Sequence, residues 1–359
     1  MNELNIDKTH WKKYRFDEMV QNVSERVEPS QTDLDMYVGL EHIDPDTLHL
    51  SRHGHPSDVE GTKLRFYKGD IIFGRRRAYQ RKTALATTDG ICSAHAMVVR
   101  AKEDVVDPMF LPFLFHSKNF IDMAITISVG GLSPTINWKD ISKQEFLLPP
   151  KAEQKRLAEL LWAADEVVEK EKSVLYSIMN IESNWIKCLS SHNATSKKYK
   201  LGDLVTLNYG KALKESDRID GQYSVIGSSG ISGTHNSYQV NGPGIVVGRK
   251  GFAGNVVWTD NNFWPIDTAY WISLNSDEIS LKYLYLLLRS INLENLAITT
   301  AIPGLNRDDV YEQVVMVPST ETQNKIVNDY KTIAIVQEQW HDQISNSQQI
   351  KQELINKVF

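Results

Sequence analysis

The 359-residue chain is long enough for two or three domains, and 41% hydrophobic with 24% charged residues is an ordinary composition with ample material for a core. Glycine (20) and proline (12) near background exclude a collagen-like or low-complexity chain, and no apolar run approaches the ~20 residues that span a bilayer. The net charge of −5 does not by itself suggest a nucleic-acid partner. Residues 1–5 carry neither the basic nor the apolar segment of a secretion signal, so a cytoplasmic protein with no membrane association is expected. Cys92 and Cys188 match no zinc or disulfide spacing.

From residue 10 to 148, short strand-like runs at 71–73 and 96–99 alternate with Gly, Asn and Asp turns, and one helix is predicted over 107–124. Charge is concentrated in this body. Lys63, Arg65, Lys68, Arg75, Arg76, Arg77, Arg81 and Lys82 stand against the single acid Asp70, a net +7 within residues 63–82. Interleaved with Phe66, Tyr67, Phe73 and Tyr79, the run fits a phosphate-tracking surface better than a merely solvated one. From residue 151 the spacing becomes helical. Leu157, Leu160, Ala164, Val167, Glu171, Val174, Ile178, Ile181, Trp185 and Cys188 form a seam, with no Gly or Pro from 151 to 192. Glu171 should sit near a helix end or be paired, because an unpaired buried carboxylate is costly. Residues 190–198 are polar and aperiodic and read as a linker. A second body over 197–317 has strand-like runs at 245–247, 256–258 and 270–273 and a helix at 280–288. A weaker helical stripe of Ile326, Tyr330, Ile333, Val336, Trp340, Ile344, Ile350 and Leu354 runs to the C-terminus.

The two bodies repeat each other. Asp70-Ile71-Ile72-Phe73-Gly74-Arg75-Arg76 matches Gly244-Ile245-Val246-Val247-Gly248-Arg249-Lys250 at an offset of 174. Ser93-Ala94-His95 matches Thr268-Ala269-Tyr270, and Pro134-Thr135-Ile136-Asn137 matches Pro303-Gly304-Leu305-Asn306. Leu148-Pro149-Pro150-Lys151-Ala152-Glu153-Gln154 matches Val317-Pro318-Ser319-Thr320-Glu321-Thr322-Gln323 at an offset of 169. The preserved order implies two duplicated domains. Their predicted bounds are 1–150 and 193–319, each followed by a long helix, 151–192 and 320–359.

Enzyme chemistry finds no footing. There is no G-x-x-x-x-G-K-[ST] loop and no Asn-Pro-Pro-aromatic motif of an adenine methyltransferase. Gly248-Arg249-Lys250-Gly251-Phe252-Ala253-Gly254 follows a strand without opening a periodic helix, so it reads as a turn that lets backbone approach a phosphate. Asp140 with Glu153-Gln154-Lys155 formally resembles a nuclease spacing, but acids at a helix start are favoured by the dipole alone. His42, His49, His53 and His55 lack Cys or carboxylates at ligand spacing and read as a polar loop, leaving no catalytic or metal site predicted.

Binding candidates remain. Arg75, Arg76 and Arg77 follow a strand end, with Tyr79, Arg81 and Lys82 just beyond, and Arg249 and Lys250 hold the equivalent place in the second half. Arginine can fork onto guanine or pair with phosphates, and the sequence leaves both open. Tyr209-Gly210-Lys211 and Lys214 open the second domain, and Ser228 and Ser229 offer hydroxyls on a turn. Asn137 and Asn306 sit in matching loops, where turn-making and DNA contact are equally good readings. Trp258, Trp264 and Trp271 are expected in the core.

The arrangement resembles the specificity (S) subunit of type I restriction-modification enzymes. The likeness rests on Tyr199-Lys200-Leu201-Gly202-Asp203-Leu204-Val205, Gly69-Asp70-Ile71-Ile72, Ile302-Pro303-Gly304-Leu305-Asn306 and the two Pro…Glu…Gln helix starts. The first half departs from it, with Tyr14-Arg15-Phe16-Asp17-Glu18-Met19-Val20 lacking Gly-Asp and Gly131-Leu132-Ser133-Pro134-Thr135-Ile136-Asn137 replacing the second loop. The resemblance implies an α+β fold with two globular target recognition domains in tandem, separated by two long antiparallel coiled-coil helices with a pseudo-twofold. It also implies a non-catalytic subunit that reads a bipartite site on double-stranded DNA, one domain per half-site. Two methyltransferase subunits and restriction/translocase subunits would be its partners. No cofactor is expected in this chain; S-adenosylmethionine, ATP and Mg would belong to the partner subunits. Two rivals are a target-recognition fragment detached from a fused restriction-methylation enzyme and a coiled-coil scaffold that does not bind DNA.

Overall fold

The structure, a computed structural model, describes residues 6–189, 196–298 and 303–359. In the first half, β1 (Lys12–Arg15) and α1 (Phe16–Met19) lead into β2 (Val20–Val23), β3 (Arg26–Val27), β4 (Tyr37–Val38) and β5 (Lys63–Phe66). Then come β6 (Ile71–Phe73), β7 (Thr83–Leu85), β8 (Gly90–Cys92) and β9 (Met97–Ala101). Helices α2 (Leu111–Leu114), α3 (Lys118–Thr126) and α4 (Trp138–Ile141), strand β10 (Glu145–Leu148) and the long helix α5 (Lys151–Cys188) complete it. The second half repeats the plan: β11 (Lys197–Lys200), α6 (Leu201–Leu204), β12 (Val205–Tyr209), β13 (Tyr223–Gly227), β14 (Gly230–His235), β15 (Gly244–Gly248), β16 (Val256–Thr259), β17 (Phe263–Pro265) and β18 (Ala269–Leu274). It ends with α7 (Leu281–Ser290), α8 (Arg307–Tyr311), β19 (Val314–Val317) and α9 (Thr320–Val358).

The duplication is explicit in the strand pairing. The four-stranded sheet β2-β9-β6-β7 has its counterpart in β12-β18-β15-β16, and the antiparallel pair β1-β10 in β11-β19. The remaining sheets differ: β3-β5-β8-β4 in the first half, β14-β13-β17 in the second. Each half therefore keeps a common scaffold and varies one sheet.

Two compact units result, residues 1–172 with 342–359, and residues 173–341. The first core gathers Phe16, Phe73, Phe113, Phe115 and Phe120, and takes in Leu157, Ala158 and Leu161 from the start of α5 with Ile355 and Val358 from the end of α9. In the second, Leu204, Leu207, Tyr283, Leu284 and Leu287 receive Val327 from α9, and Trp185 packs against them from α5. Within the first unit the helix segments run antiparallel. Asp165 accepts from Lys351 Nζ (3.0 Å), and further along α5 Glu171 accepts from Gln343 Nε2 (3.0 Å) and Ser347 Oγ (3.1 Å). In the second unit Glu182 accepts from Gln337 Nε2 at 2.7 Å.

Both helix starts are clasped by a buried glutamine. Gln154 Oε1 accepts from Asp107 N (2.7 Å), while its Nε2 donates to Val105 O and Pro149 O. Gln323 repeats this with Ser280 N (2.9 Å), Glu278 O and Pro318 O. The Pro…Glu…Gln motif is thus structural, and Glu153 beside it meets His10 at 2.9 Å.

Several sequence expectations need correction. The helix predicted over 107–124 is broken: Ser117 Oγ bonds Leu114 O at the end of α2 and accepts from Phe120 N to cap α3, so one hydroxyl serves both helix ends. The α5 seam also moves. Leu160, Val167, Val174 and Ile181 lie exposed, while Ala158, Leu161, Asp165, Val168, Leu175 and Ile186 are buried. On α9, Ile350 is exposed and Lys351 buried. Two stripes of apolar residues ran along α5, and the one that meets the domain and the neighbouring helix is the one interrupted by polar residues. Trp258, Trp264 and Trp271 are half-buried rather than core. Of the expected linker, residues 190–195 lie outside the described residues, and Lys197 and Lys198 belong to β11. Ile302 also lies outside them.

Candidate nucleic-acid interface

Beyond β6 and beyond β15 the chain makes the same construction. In the first half, Ile136 N donates to Arg75 O (2.9 Å) and Arg77 N to Pro134 O (2.7 Å), with Arg76 and Thr135 bridged. In the second, Leu305 N donates to Arg249 O (2.9 Å) and Gly251 N to Pro303 O (2.9 Å), with Lys250 and Gly304 bridged. The basic turn and the Pro-x-x-Asn loop are therefore one unit, built twice. Gly248 is required there, since a Cβ would sit 1.9 Å from Phe252 O.

The basic run in the first half divides by what holds each charge. Arg76 Nε and Arg77 Nε both donate to Ser133 Oγ (2.8 and 3.0 Å), and Arg75 Nη2 donates to Ala94 O (3.1 Å). Among the described residues none of the three meets a carboxylate within ion-pair distance. Arg77 and Arg81 flank a short 3₁₀ turn, both in the left-handed region (φ 57° and 55°). Arg81 binds Asp46, His116 O and Gln352 Oε1 of α9, and Lys82 Nζ donates to Leu40 O. Both are structural ties. Arg65 pairs with Glu25, and Lys63 donates to the carbonyls of Glu60 and Gly61. Asp70, the one acid of the run, is buried and doubly bonded by Arg100, outside it. Of the run, Lys68 and Arg77 are exposed; Arg75 and Arg76 are half-buried at the turn, with exposed Tyr79 beyond it and His95 near Arg76.

In the second half Arg249 is held by Asp267 O (2.8 Å) and lies over the rings of Tyr209 (4.9 Å) and Tyr270 (6.0 Å). Arg307 covers Tyr209 as well, at 5.4 Å. Burial, with Tyr209 beside it, pushes the Tyr270 phenol above its ordinary range, so it stays a neutral donor. Lys250 is exposed at the turn. Lys211 lies over Trp264 (5.8 Å), and Lys214 is exposed just before Glu215 and Asp217. Ser228 is buried, its carbonyl accepting from Asn255 Nδ2, while Ser229 is exposed on the β13–β14 turn. Asn306 caps α8 by accepting from Asp308 N (3.0 Å); Asn137 holds the same place at α4 without a side-chain bond.

Arg307, Tyr209 as a stacking surface, Ser133 and His95 were not picked out by sequence. Arg307 had one usable signal: it directly follows Asn306 in the repeated loop. Of the histidines predicted as a loop, two build turns and one ties to α5. His42 accepts from Gly39 N, His55 from Ser57 N, and His49 bonds Asp165. The second half thus presents guanidinium groups against stacking rings and the first a turn of three hydrogen-bonded arginines, chemistry that can track phosphates and read base edges.

Comparison with known proteins adds the following. The family model for the type I restriction modification DNA specificity domain matches residues 10–178 and again 193–354. The chain is 28% identical over 185 residues to the type I restriction enzyme EcoDI specificity subunit of Escherichia coli, a stretch that is 50% of this chain and 41% of that relative. A solved structure concerned with complex assembly and conformational transition of the type I R-M system contains a chain of similar fold, with TM-score 0.66, 16% identity and 97% of both chains covered. The type I restriction-modification S subunit from M. genitalium gives a TM-score of 0.56 at 16% identity, over 100% of this chain and 97% of that one.

Proposed function

Because the chain belongs to the type I restriction modification DNA specificity domain family, its two halves each matching the family once, we propose that it is a non-catalytic specificity subunit that reads a split site on duplex DNA. Each half takes one half-site through its basic turn and Pro-x-x-Asn loop. Arg75, Arg76 and Arg77 serve the first, and Arg249, Lys250 and Arg307 the second. The observation that carries this reading is the twice-built turn, whose first copy holds three arginines that pair with no carboxylate among the described residues. The halves differ around that turn, so the half-sites differ too.

The paired helices α5 and α9 set the spacing between half-sites, and the subunit anchors two methyltransferase subunits, which carry S-adenosylmethionine, and restriction/translocase subunits, which use ATP and Mg, in the cytoplasm. The test is selection of duplexes from a randomised pool by the full chain, alone and with its methyltransferase subunits, across a salt series. Recovery of a two-part site with an unselected gap is expected. A pool that never departs from random, or turnover of ATP or methyl donor by the pure chain, would overturn the reading.

A further inference from the structure

The duplication lets the halves be compared position by position beside the arginine turn. Met97 pairs with Phe73, and Tyr270 with Val247, which equates Met97 with Tyr270 and corrects by two residues the sequence match of His95 with Tyr270. Val23 pairs with Val98, and Asn208 with Trp271, so the next residues, Ser24 and Tyr209, are also equivalent. Arg75 matches Arg249 through their bonds to Ile136 N and Leu305 N, and Trp138 matches Arg307, each following the loop asparagine. In the second half these four make a closed stack: the Tyr209 and Tyr270 rings lie 5.2 Å apart, with both guanidinium groups over Tyr209. In the first half the four counterparts, Ser24, Met97, Arg75 and Trp138, all line an open cavity of about 380 Å³. Ser24 brings no ring to fill it.

The cavity's chemistry is one-sided. Arg26, Lys63 and Arg75 are among its walls and no acid is, while Asn22 offers an amide with both a donor and an acceptor. Arg75 Nε is buried and finds no acceptor among the described residues, an unmet donor at the cavity wall. A volume of this size lies within the range of small-molecule sites.

We propose that this cavity receives a nucleobase, in the place where the second half puts its own Tyr209 ring. A planar base finds a guanidinium and an indole in the walls, groups on which bases stack without regard to sequence. Asn22 can bond its edge, and the basic residues at the cavity take the attached phosphate. The base is one extruded from bound duplex, which rests on the DNA-recognition reading, or that of a free mononucleotide.

Ser24→Tyr tests this by copying the second half: it fills the cavity from an exposed position and leaves the arginine turn in place. On a selected duplex, placing an abasic site opposite each base of the first half-site in turn should tighten wild-type binding about tenfold at one position, because the pairing no longer has to be broken. That gain should vanish in Ser24→Tyr while salt-dependent binding to unselected DNA persists. Titrating the full chain with each of the four deoxynucleoside monophosphates, read by tryptophan fluorescence, tests the free source, and Ser24→Tyr should abolish any response. If the wild type binds duplex but shows neither a position-specific gain nor a nucleotide response lost in Ser24→Tyr, the proposal is wrong. If it binds no duplex at all, the DNA-recognition reading is what fails, and the nucleotide titration alone decides the cavity.

Discussion

Arg75, Arg76 and Arg77 differ from Arg81 in what holds their charge, and mutation should separate them. Replacing the three by alanine removes cations that meet no carboxylate among the described residues, so DNA affinity should fall. Its salt slope should decrease by up to ~0.9 for each phosphate no longer neutralised. If one of the three forks a guanine, discrimination at a single base should also relax by ~1–3 kcal/mol. Thermal stability should fall only modestly, since the bonds lost to Ser133 and Ala94 O are at a partly exposed turn and involve no ion pair. Arg81→Ala should do the reverse, since it removes bonds to Asp46, His116 O and Gln352 within the first unit. The melting temperature should drop while the salt slope of DNA binding stays as it was. Filter binding across a salt series, beside a thermal melt, reads both; a triple variant with wild-type slope would remove the turn from the interface.

At the scale of elements, a buried glutamine clasps the start of each long helix, and the buried stripe of α5 carries Asp165 as well as Glu171, the one charged residue of the expected seam. Gln154→Ala would strand Asp107 N, Val105 O and Pro149 O, at about 1–3 kcal/mol for a buried group left unsatisfied. Gln323→Ala should cost a similar amount in the second unit, and denaturant melts of both variants check this. Asp165 gives the first unit a pH dependence. Burial pushes its carboxyl up, but bonds from His49 and Lys351 together outweigh that and hold it below the ordinary range. The bond to Asp165 in turn raises His49, against the opposing effect of burial. A raised histidine stabilises fully below its unfolded value of about 6.5 and loses that contribution as pH climbs through its folded value. The depressed Asp165 contributes above about 3.9 and loses its contribution as pH falls through its own folded value. The melting temperature of wild type relative to His49→Gln should therefore be greatest near pH 5–6 and shrink toward alkaline pH. A difference that is flat from pH 5 to 9 would show that the pair adds nothing.

For the whole molecule, α5 and α9 are the only helices among the described residues with residues in both units, and the proposed function makes their length the ruler for the gap between half-sites. A heptad added to each helix, after Ile178 in α5 and at the facing level of α9, keeps the buried stripe in phase and lengthens it by about 10 Å. That corresponds to about three base pairs of duplex. Site selection with the lengthened chain should recover both half-sites unchanged around a wider gap, with weaker binding because the insertion also rotates one domain about the DNA. Four residues instead of seven should disturb packing and lower stability. An unchanged gap in a folded heptad variant would show that the helices do not set the spacing.

The duplication, the two long helices and the paired basic turns were legible in the sequence because each is written in local chemistry: repeated motif order, 3.6-residue periodicity, a proline before each helix. That Arg75, Arg76 and Arg77 lie beside the Pro-Thr-Ile-Asn loop was not legible, because the two segments are far apart in sequence and only backbone bonds formed on folding join them. Nor was which of two apolar stripes α5 would bury, because that is decided by the domain and helix it meets. Glu171 was expected to be paired, yet its partners Gln343 and Ser347 stand 172 and 176 residues away. Likewise the run of eight basic residues looked like one surface, until Gln352, 271 residues from Arg81, together with Glu25 at Arg65 and Leu40 at Lys82, claimed three of them. The cavity in the first half is the extreme case. No local pattern marks it, since it exists only where folding sets Ser24 and Met97 against Arg75 and Trp138, at the place the second half fills with rings.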